Sequence, residues 1–395
     1  MSNSIKVDIL EVILKITECC NIACRYCYFF RGGNIDFDER PNVIKKDTIH
    51  ALASFLKEAI LANEIKLLRL DFHGGEPLMM GKKRFVEMVE LFDTELSQLV
   101  DLEYVLQSNG TLIDDEWVEI FSKYNVAASV SLDGDQAIHD ANRIDKKGRG
   151  TYVRATEGLK KLICAARSNK VVFPGIISVI NDSSDTKITF KHFLDDLESP
   201  FISFVELDLT IDELNQETVE KISNNLLAVY NEWERINTPT IVHDISVRNF
   251  NDILKQLVLS GTEADKKEKR KYVSLTIRSD GSLNPDDILR NIYPYLFTNE
   301  YNIKNNTLSD YLSDEKLKDL YRKLFTLPEK CNECGVKKIC RNGWGFGSIP
   351  HRYSKENDMN NVNALCGVYH EISLRLCDLV IQQGKSYDSI KHNLF

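Results

Sequence analysis

CNIACRYCY, residues 20–28, directly follows an apolar run, EVILKI, at residues 11–16. Three residues separate Cys20 from Cys24 and two separate Cys24 from Cys27. That spacing lets one short loop wrap a compact inorganic cluster with three thiolates. A fully capped four-iron cluster takes four ligands, so three leave one iron open to an external chelator. Structural zinc is the competing reading, but it needs four ligands, usually in paired Cys-x-x-Cys units. Cys19 is a poor fourth, because adjacent residues rarely share one site comfortably.

Outward from this loop, the chain up to about Ile236 alternates strand-like and helix-like segments. The strands are EVILKI, KLLRLDF, EYVLQS, VAASVSL, VFPGIISVI and FISFVELD, each apolar enough for burial on both faces. Helical stretches lie between them; in DTIHALASFLKEAILAN, residues Ile49, Leu52, Leu56, Ala59 and Ile60 share one face. Right-handed parallel connections would curl six such units into a partial (β/α)6 barrel, an α/β fold. The expected boundaries are residues 1–240 for the barrel, 241–280 for a connecting region and 281–395 for a cysteine-bearing module with a closing helix, VYHEISLRLCDLVIQQ. Within the connecting region, EADKKEKRK at residues 263–271 reads as a solvated face. With the barrel starting so early, no separate peptide-binding domain is expected ahead of it.

Hydrophobic residues make up 43% of the 395 and charged residues 28%, ordinary for a soluble globular chain. No apolar run approaches the roughly 20 residues of a membrane helix, and a secretory signal is lacking, so a cytoplasmic location is expected. The net charge of −9, with signs interspersed, disfavours nucleic acid as a partner. Eight of the ten cysteines crowd the two ends; Cys164 and Cys377, inside helical patterns, read as core residues. Clustered thiols in a reducing compartment favour metal over disulfides.

CNIACRYCY resembles the cluster loop of the radical S-adenosylmethionine (SAM) superfamily, and further fragments follow in the family's order at successive strand ends. They are HGGEP (residues 73–77), QSNGTLI (107–113), SLDG (131–134) and HDANR (139–143). The resemblance implies a [4Fe–4S] cluster on Cys20, Cys24 and Cys27 whose open iron is chelated by SAM. It places Gly74, Gly75 and Glu76 at the SAM amino group, with Glu76 expected to be only partly buried. Ser108, Asn109, Ser131 and Asp133 would meet the ribose or carboxylate, Arg143 the carboxylate and Tyr26 the adenine.

CNECGVKKIC, residues 331–340, supplies Cys331, Cys334 and Cys340, and Cys366 follows at a distance. Alone this is an acceptable four-thiolate zinc site. Beside the first motif it resembles the SPASM extension of peptide-modifying radical SAM enzymes, which implies one auxiliary [4Fe–4S] cluster on these four. A second auxiliary cluster is not expected: Asp286 and Trp344 stand where family members carry ligand cysteines, and no cysteine lies between Cys164 and Cys331. HRY (residues 351–353) and DDILR (286–290) resemble a subgroup that forms three-residue cyclophanes in ribosomally synthesised precursor peptides. The reading is therefore a peptide maturase that abstracts a β-hydrogen and makes a carbon–carbon crosslink. Asp287 is its candidate base, and a flavodoxin or ferredoxin its electron donor. Formylglycine formation of the sulfatase-maturing kind and thioether crosslinking are the enzymatic alternatives; a non-catalytic iron–sulfur or zinc protein is the distant one.

Overall fold

The computed structural model describes residues 7–31, 39–181, 184–237, 245–258, 271–391 and 394. Most of the stretch at 263–271 therefore lies outside the described residues. The chain packs as two compact units. The first comprises Met1–Ser131, His139–Pro174 and Arg270–Leu320; the second comprises Leu132–Ile138, Gly175–Lys269 and Tyr321–Phe395. The fold class is α/β, and each of the six expected strands is present.

In the first unit, β1 (Ile9–Thr17), β2 (Leu67–Gly74), β3 (Asp101–Ser108) and β4 (Val126–Ser131) run parallel in sequence order. In the second lie β5 (Gly175–Ile180), β6 (Phe201–Glu206) and the short β7 (Ser246–Val247), also parallel. Returning to the first unit, β8 (Tyr272–Ile277) pairs parallel to β1, and β9 (Leu283–Asn284) turns back antiparallel to β8. Neither β8 nor β9 shows in the hydrophobic pattern, because a strand continued by a tight turn reads as loop. Gly281, at φ +89, makes that turn possible.

Helices cover one strand face. α1 (Lys46–Asn63), α2 (Lys82–Leu96), α3 (Asp115–Lys123) and α4 (Tyr152–Arg167) belong to the first unit; α5 (Thr186–Asp195) and α6 (Gln216–Asn237) belong to the second. All five residues expected on one face of α1 are buried. Asp114 caps α3 by accepting from the Trp117 N–H at 2.9 Å, worth about 1 kcal/mol. Beneath these helices, Phe85 packs edge-on against Phe72 at 5.0 Å and Trp117 at 5.4 Å.

The other strand face departs from expectation, since it is polar. Burial alternates along β2, and one register row joins Glu11, Arg69 and Glu103. The next row holds Asp71 and Ile13, and the one above it His73 and Lys15. An alternating strand buries its apolar half under helices and leaves the polar half facing the interior of a barrel. Of the two solitary cysteines, Cys377 is buried as expected, but Cys164 is exposed: it falls on the solvent side of α4. No described helix is long and apolar enough to cross a membrane.

Phe85 is fully buried, so Phe85→Ala should destabilise the protein by about 3–5 kcal/mol in chemical denaturation. A loss below about 1 kcal/mol would show that this layer is not packed as described.

Candidate functional site

Cys20, Cys24 and Cys27 sit on the loop leaving β1, with Cys24 buried and the other two half-buried. Burial pushes the Cys20 thiol up to about 12, and the charges of Cys24 and Cys27 push the same way. A thiol so placed needs a nearby cation to be held as thiolate. Two side chains expected at the SAM pocket reach these cysteines. Asn109 Nδ2 lies 3.7 Å from Cys20 Sγ, and Arg143 Nη1 lies 3.9 Å from Cys24 Sγ. The Arg143 guanidinium stacks 5.5 Å from the centre of the Tyr26 ring.

Backbone approach explains the two glycines. Gly74 has φ +139, and a Cβ there would lie 2.2 Å from the Thr17 carbonyl oxygen. A Cβ on Gly75 would lie 2.2 Å from the Cys19 carbonyl oxygen. The end of β2 thus rests directly on the cysteine loop, which leaves no room for side chains.

Glu76 is more deeply set than expected, at 1% exposure. Its carboxylate accepts from Ser108 Oγ at 2.9 Å, Leu78 N–H at 3.1 Å and Asn109 N–H at 2.8 Å. It therefore ties the end of β2 to the end of β3, the reason a strand-end residue is buried here. Burial pushes its carboxyl up to about 7 against those three donors. An incoming ammonium would find a carboxylate already oriented. Ser131 ends β4 and accepts from Gln107 Nε2 at 2.8 Å. Asp133 belongs to the second unit, where it accepts from the Val179 N–H at 3.3 Å.

Beside this pocket stands a buried charge cluster that sequence reasoning missed. Lys15 donates to Asp287 Oδ2 at 2.5 Å and to Tyr28 Oη at 3.1 Å, and contacts His73 Nδ1 at 3.1 Å. Tyr28 Oη also donates to Asp287 Oδ2, at 2.6 Å, while Arg290 Nε and Nη2 hold Asp287 Oδ1 at 3.0 and 2.9 Å. Burial and the Lys15 charge hold His73 down at about 3, so it is neutral and accepts from the ammonium. Burial alone would raise the Asp287 carboxyl, but Lys15 and Arg290 overturn that and hold it well below the usual range. Both its oxygens are occupied, which makes Asp287 an anchor and a poor proton acceptor. The one legible signal was a lone lysine in the apolar EVILKI. A second buried pair, Glu18 with Arg278 at 3.0 and 2.8 Å, fastens the start of the same loop to the segment after β8.

The second unit holds the other cysteine set. Cys331 and Cys340 are buried, Cys334 and Cys366 half-buried. Burial pushes Cys340 up to about 12, with Cys366, Cys334 and Cys331 adding to it, so all four thiols share one neighbourhood. After Cys340 three successive residues, Arg341, Asn342 and Gly343, take positive φ. That reversal turns the Gly343 N–H back onto the Cys340 sulfur. No three His, Cys, Asp or Glu side chains among the described residues converge as the ligands of one ion.

Residues 14–190 match the profile of the Radical SAM superfamily. Those residues form a radical SAM domain. The protein's cofactors are S-adenosylmethionine and [4Fe–4S] clusters. A serine-type anaerobic sulfatase-maturating enzyme of Bacteroides thetaiotaomicron is 24% identical over 92% of this chain and 88% of its own length. A cysteine-type enzyme of Clostridium perfringens is 25% identical over 92% and 95%. Among solved structures, native anSMEcpe with bound AdoMet and Cp18Cys peptide superposes with a TM-score of 0.76, at 20% identity, covering 95% of this chain and 99% of that one.

These relationships overturn the cyclophane expectation. The similarity to sulfatase-maturating enzymes spans nearly the whole chain, whereas the cyclophane reading rested on two short fragments. Both fragments turn out to be framework. His351 and Arg352 are buried, and Arg352 donates to the carbonyls of Leu324 at 3.0 Å, Thr326 at 2.8 Å and Met359 at 2.7 Å. In DDILR, Asp287 and Arg290 satisfy each other.

Glu76→Ala strands three donors, each costing about 1–3 kcal/mol, so it should lower stability by more than about 2 kcal/mol in urea. A loss under about 1 kcal/mol would remove Glu76 from the strand-joining role. Asp287, depressed in the fold, contributes stability that is fully present above its unfolded value near pH 4 and lost as pH falls below it. Asp287→Asn should therefore flatten the acid limb of the stability profile below about pH 4; an unchanged slope would show that the pairing with Lys15 is not formed.

Proposed function

We propose that this enzyme oxidises the β-carbon of a serine or cysteine side chain in a peptide to formylglycine, a reading drawn from relatives named serine-type and cysteine-type anaerobic sulfatase-maturating enzymes. The observation that supports the reading most is extent: the likeness covers 92% of this chain.

Cys20, Cys24 and Cys27 would hold the SAM-binding cluster, and Cys331, Cys334, Cys340 and Cys366 an auxiliary one. A cluster held by the first set would supply the electron for reductive cleavage of SAM, and with it the radical chemistry that removes one hydrogen from the substrate β-carbon. Everything else falls to the protein. Glu76 receives the SAM ammonium, with its carboxylate fixed by Ser108 and Asn109. Arg143 and Tyr26 form a cationic, flat wall beside Cys24 suited to the carboxylate and the adenine. Lys15 holds Tyr28, on the cluster loop, and Asp287 at fixed positions. For serine, loss of a second electron and of the hydroxyl proton leaves the aldehyde. For cysteine the same loss leaves a thioaldehyde, which water converts to the aldehyde with release of hydrogen sulfide.

The test uses two peptides spanning a sulfatase modification sequence, identical except for Ser or Cys at the target. Reconstituted enzyme with SAM and reductant should remove two hydrogens from the Ser peptide, and in the Cys peptide should both remove two hydrogens and exchange sulfur for oxygen. One or both products should form hydrazones, and fragmentation should read straight through the modified residue. Formation of 5′-deoxyadenosine without aldehyde on either peptide would defeat the reading.

A further inference from the structure

Two features of the second unit go unused by the proposed chemistry: an aromatic surface patch and the charge around it. α8 (Glu315–Phe325) presents Phe325 at its end, 61% exposed. A single exposed ring is ordinary, but contiguous exposed apolar groups mark an interaction site. Phe325 stacks with Tyr321 at 6.3 Å and 14°, and lies 5.2 Å from Trp344. These rings therefore form one continuous apolar patch.

The segment that carries the patch is rich in positive charge. Between Tyr321 and Trp344 stand six basic and two acidic residues, in a chain of net charge −9. Arg322, Lys330, Lys338 and Arg341 are exposed. Arg322 is one turn before Phe325, and Trp344 N–H bonds to the Arg341 carbonyl at 3.3 Å. Lys323 is partly neutralised by Asp358, at 2.9 Å. The four cysteines belong to the same neighbourhood. Cys334 and Cys366 are half-buried, and Lys330 stands close enough to act electrostatically on Cys331 and Cys366.

We propose that the Phe325–Trp344 face is the docking surface for an acidic one-electron carrier protein, which exchanges electrons with the group held by Cys331, Cys334, Cys340 and Cys366. A small apolar centre on a charge-rich segment suits a fast, weak encounter between redox proteins, steered by opposite charge. The occupant is acidic because that segment is basic in an otherwise acidic chain. The identity of the reaction rests on the function proposed above, in which the substrate loses two electrons: one leaves with the abstracted hydrogen and one remains to be disposed of. That remaining electron passes from the four-thiolate iron–sulfur group to the oxidised carrier. The group is reoxidised and the carrier reduced by one electron, with no bond broken and no proton moved.

Binding and electron exchange can be measured without any peptide, so a failure here is separable from a failure of the formylglycine reading. The fully reconstituted protein is reduced with dithionite, freed of excess, and mixed with oxidised flavodoxin or ferredoxin in a stopped-flow instrument. Its dissociation constant for each carrier is measured at low and high salt, with the basic protein cytochrome c as control. At least one acidic carrier should bind and accept electrons, more weakly as salt rises, while cytochrome c does not bind. Phe325→Ser, and separately Arg322→Glu with Lys338→Glu, should each weaken binding about tenfold or more, equivalent to at least ~1.4 kcal/mol. Iron content, melting temperature and the rate of reduction by dithionite should stay as in the parent protein. Binding unaffected by either variant, insensitive to salt, or absent for both carriers would overturn the proposal. Preferential binding of cytochrome c would do the same.

Discussion

A lysine ammonium sealed away from water must spend its protons on the protein, and the way Lys15 does so organises the first unit. Its partners come from three separate stretches of chain: Tyr28 after the cysteine loop, His73 at the end of β2 and Asp287 beyond β9. Each alternative leaves a buried charge unmatched, a penalty of several kcal/mol. The cysteine loop, the end of β2 and the turn after β9 are therefore fixed relative to one another by a single cation. Arg290 completes the arrangement from the other side of Asp287. Charge that would be a liability elsewhere becomes a means of setting position, because only one geometry satisfies all the partners.

The two cysteine sets share a physical condition despite their different numbers. Every thiol that responds strongly to its surroundings is pushed toward the neutral form by burial, and its cysteine neighbours push the same way. Bare thiolates are unstable there, so each set is completed by bound cations. The supporting structure differs. The first set is pressed against the Gly74–Gly75 backbone, while the second is turned by three residues of positive φ. The first device presses main chain against the main chain of the cysteine loop, and the second turns the Gly343 N–H onto the Cys340 sulfur.

HRY and DDILR show how a motif can mislead. In sequence, His351, Arg352, Asp287 and Arg290 are polar residues in a cofactor protein, and polar residues there suggest chemistry. In the fold, Arg352 closes the end of α8 by bonding carbonyls that the helix leaves without partners. Asp287 and Arg290 satisfy each other beside Lys15. Fragments of this kind persist in unlike reactions because they stabilise a common scaffold, so they report architecture before activity.

By itself the sequence determined the α/β class, the six strand–helix alternations and the membership of both cysteine sets. Hydrophobic period and cysteine spacing are local properties, and a few neighbouring residues suffice to express them. By resemblance it assigned Asn109, Arg143 and Tyr26 to SAM, and in the fold Asn109 and Arg143 lie beside the first cysteines. Tertiary structure alone decided the rest. β8 joins β1 across more than 250 residues of chain, a pairing no local pattern encodes. The depth of Glu76, the polar inner face and the Lys15 cluster likewise depend on partners distant in sequence. A lone lysine in an apolar strand says that a counter-charge must exist, since burial demands one. Which carboxylate answers it is settled only when the chain has folded.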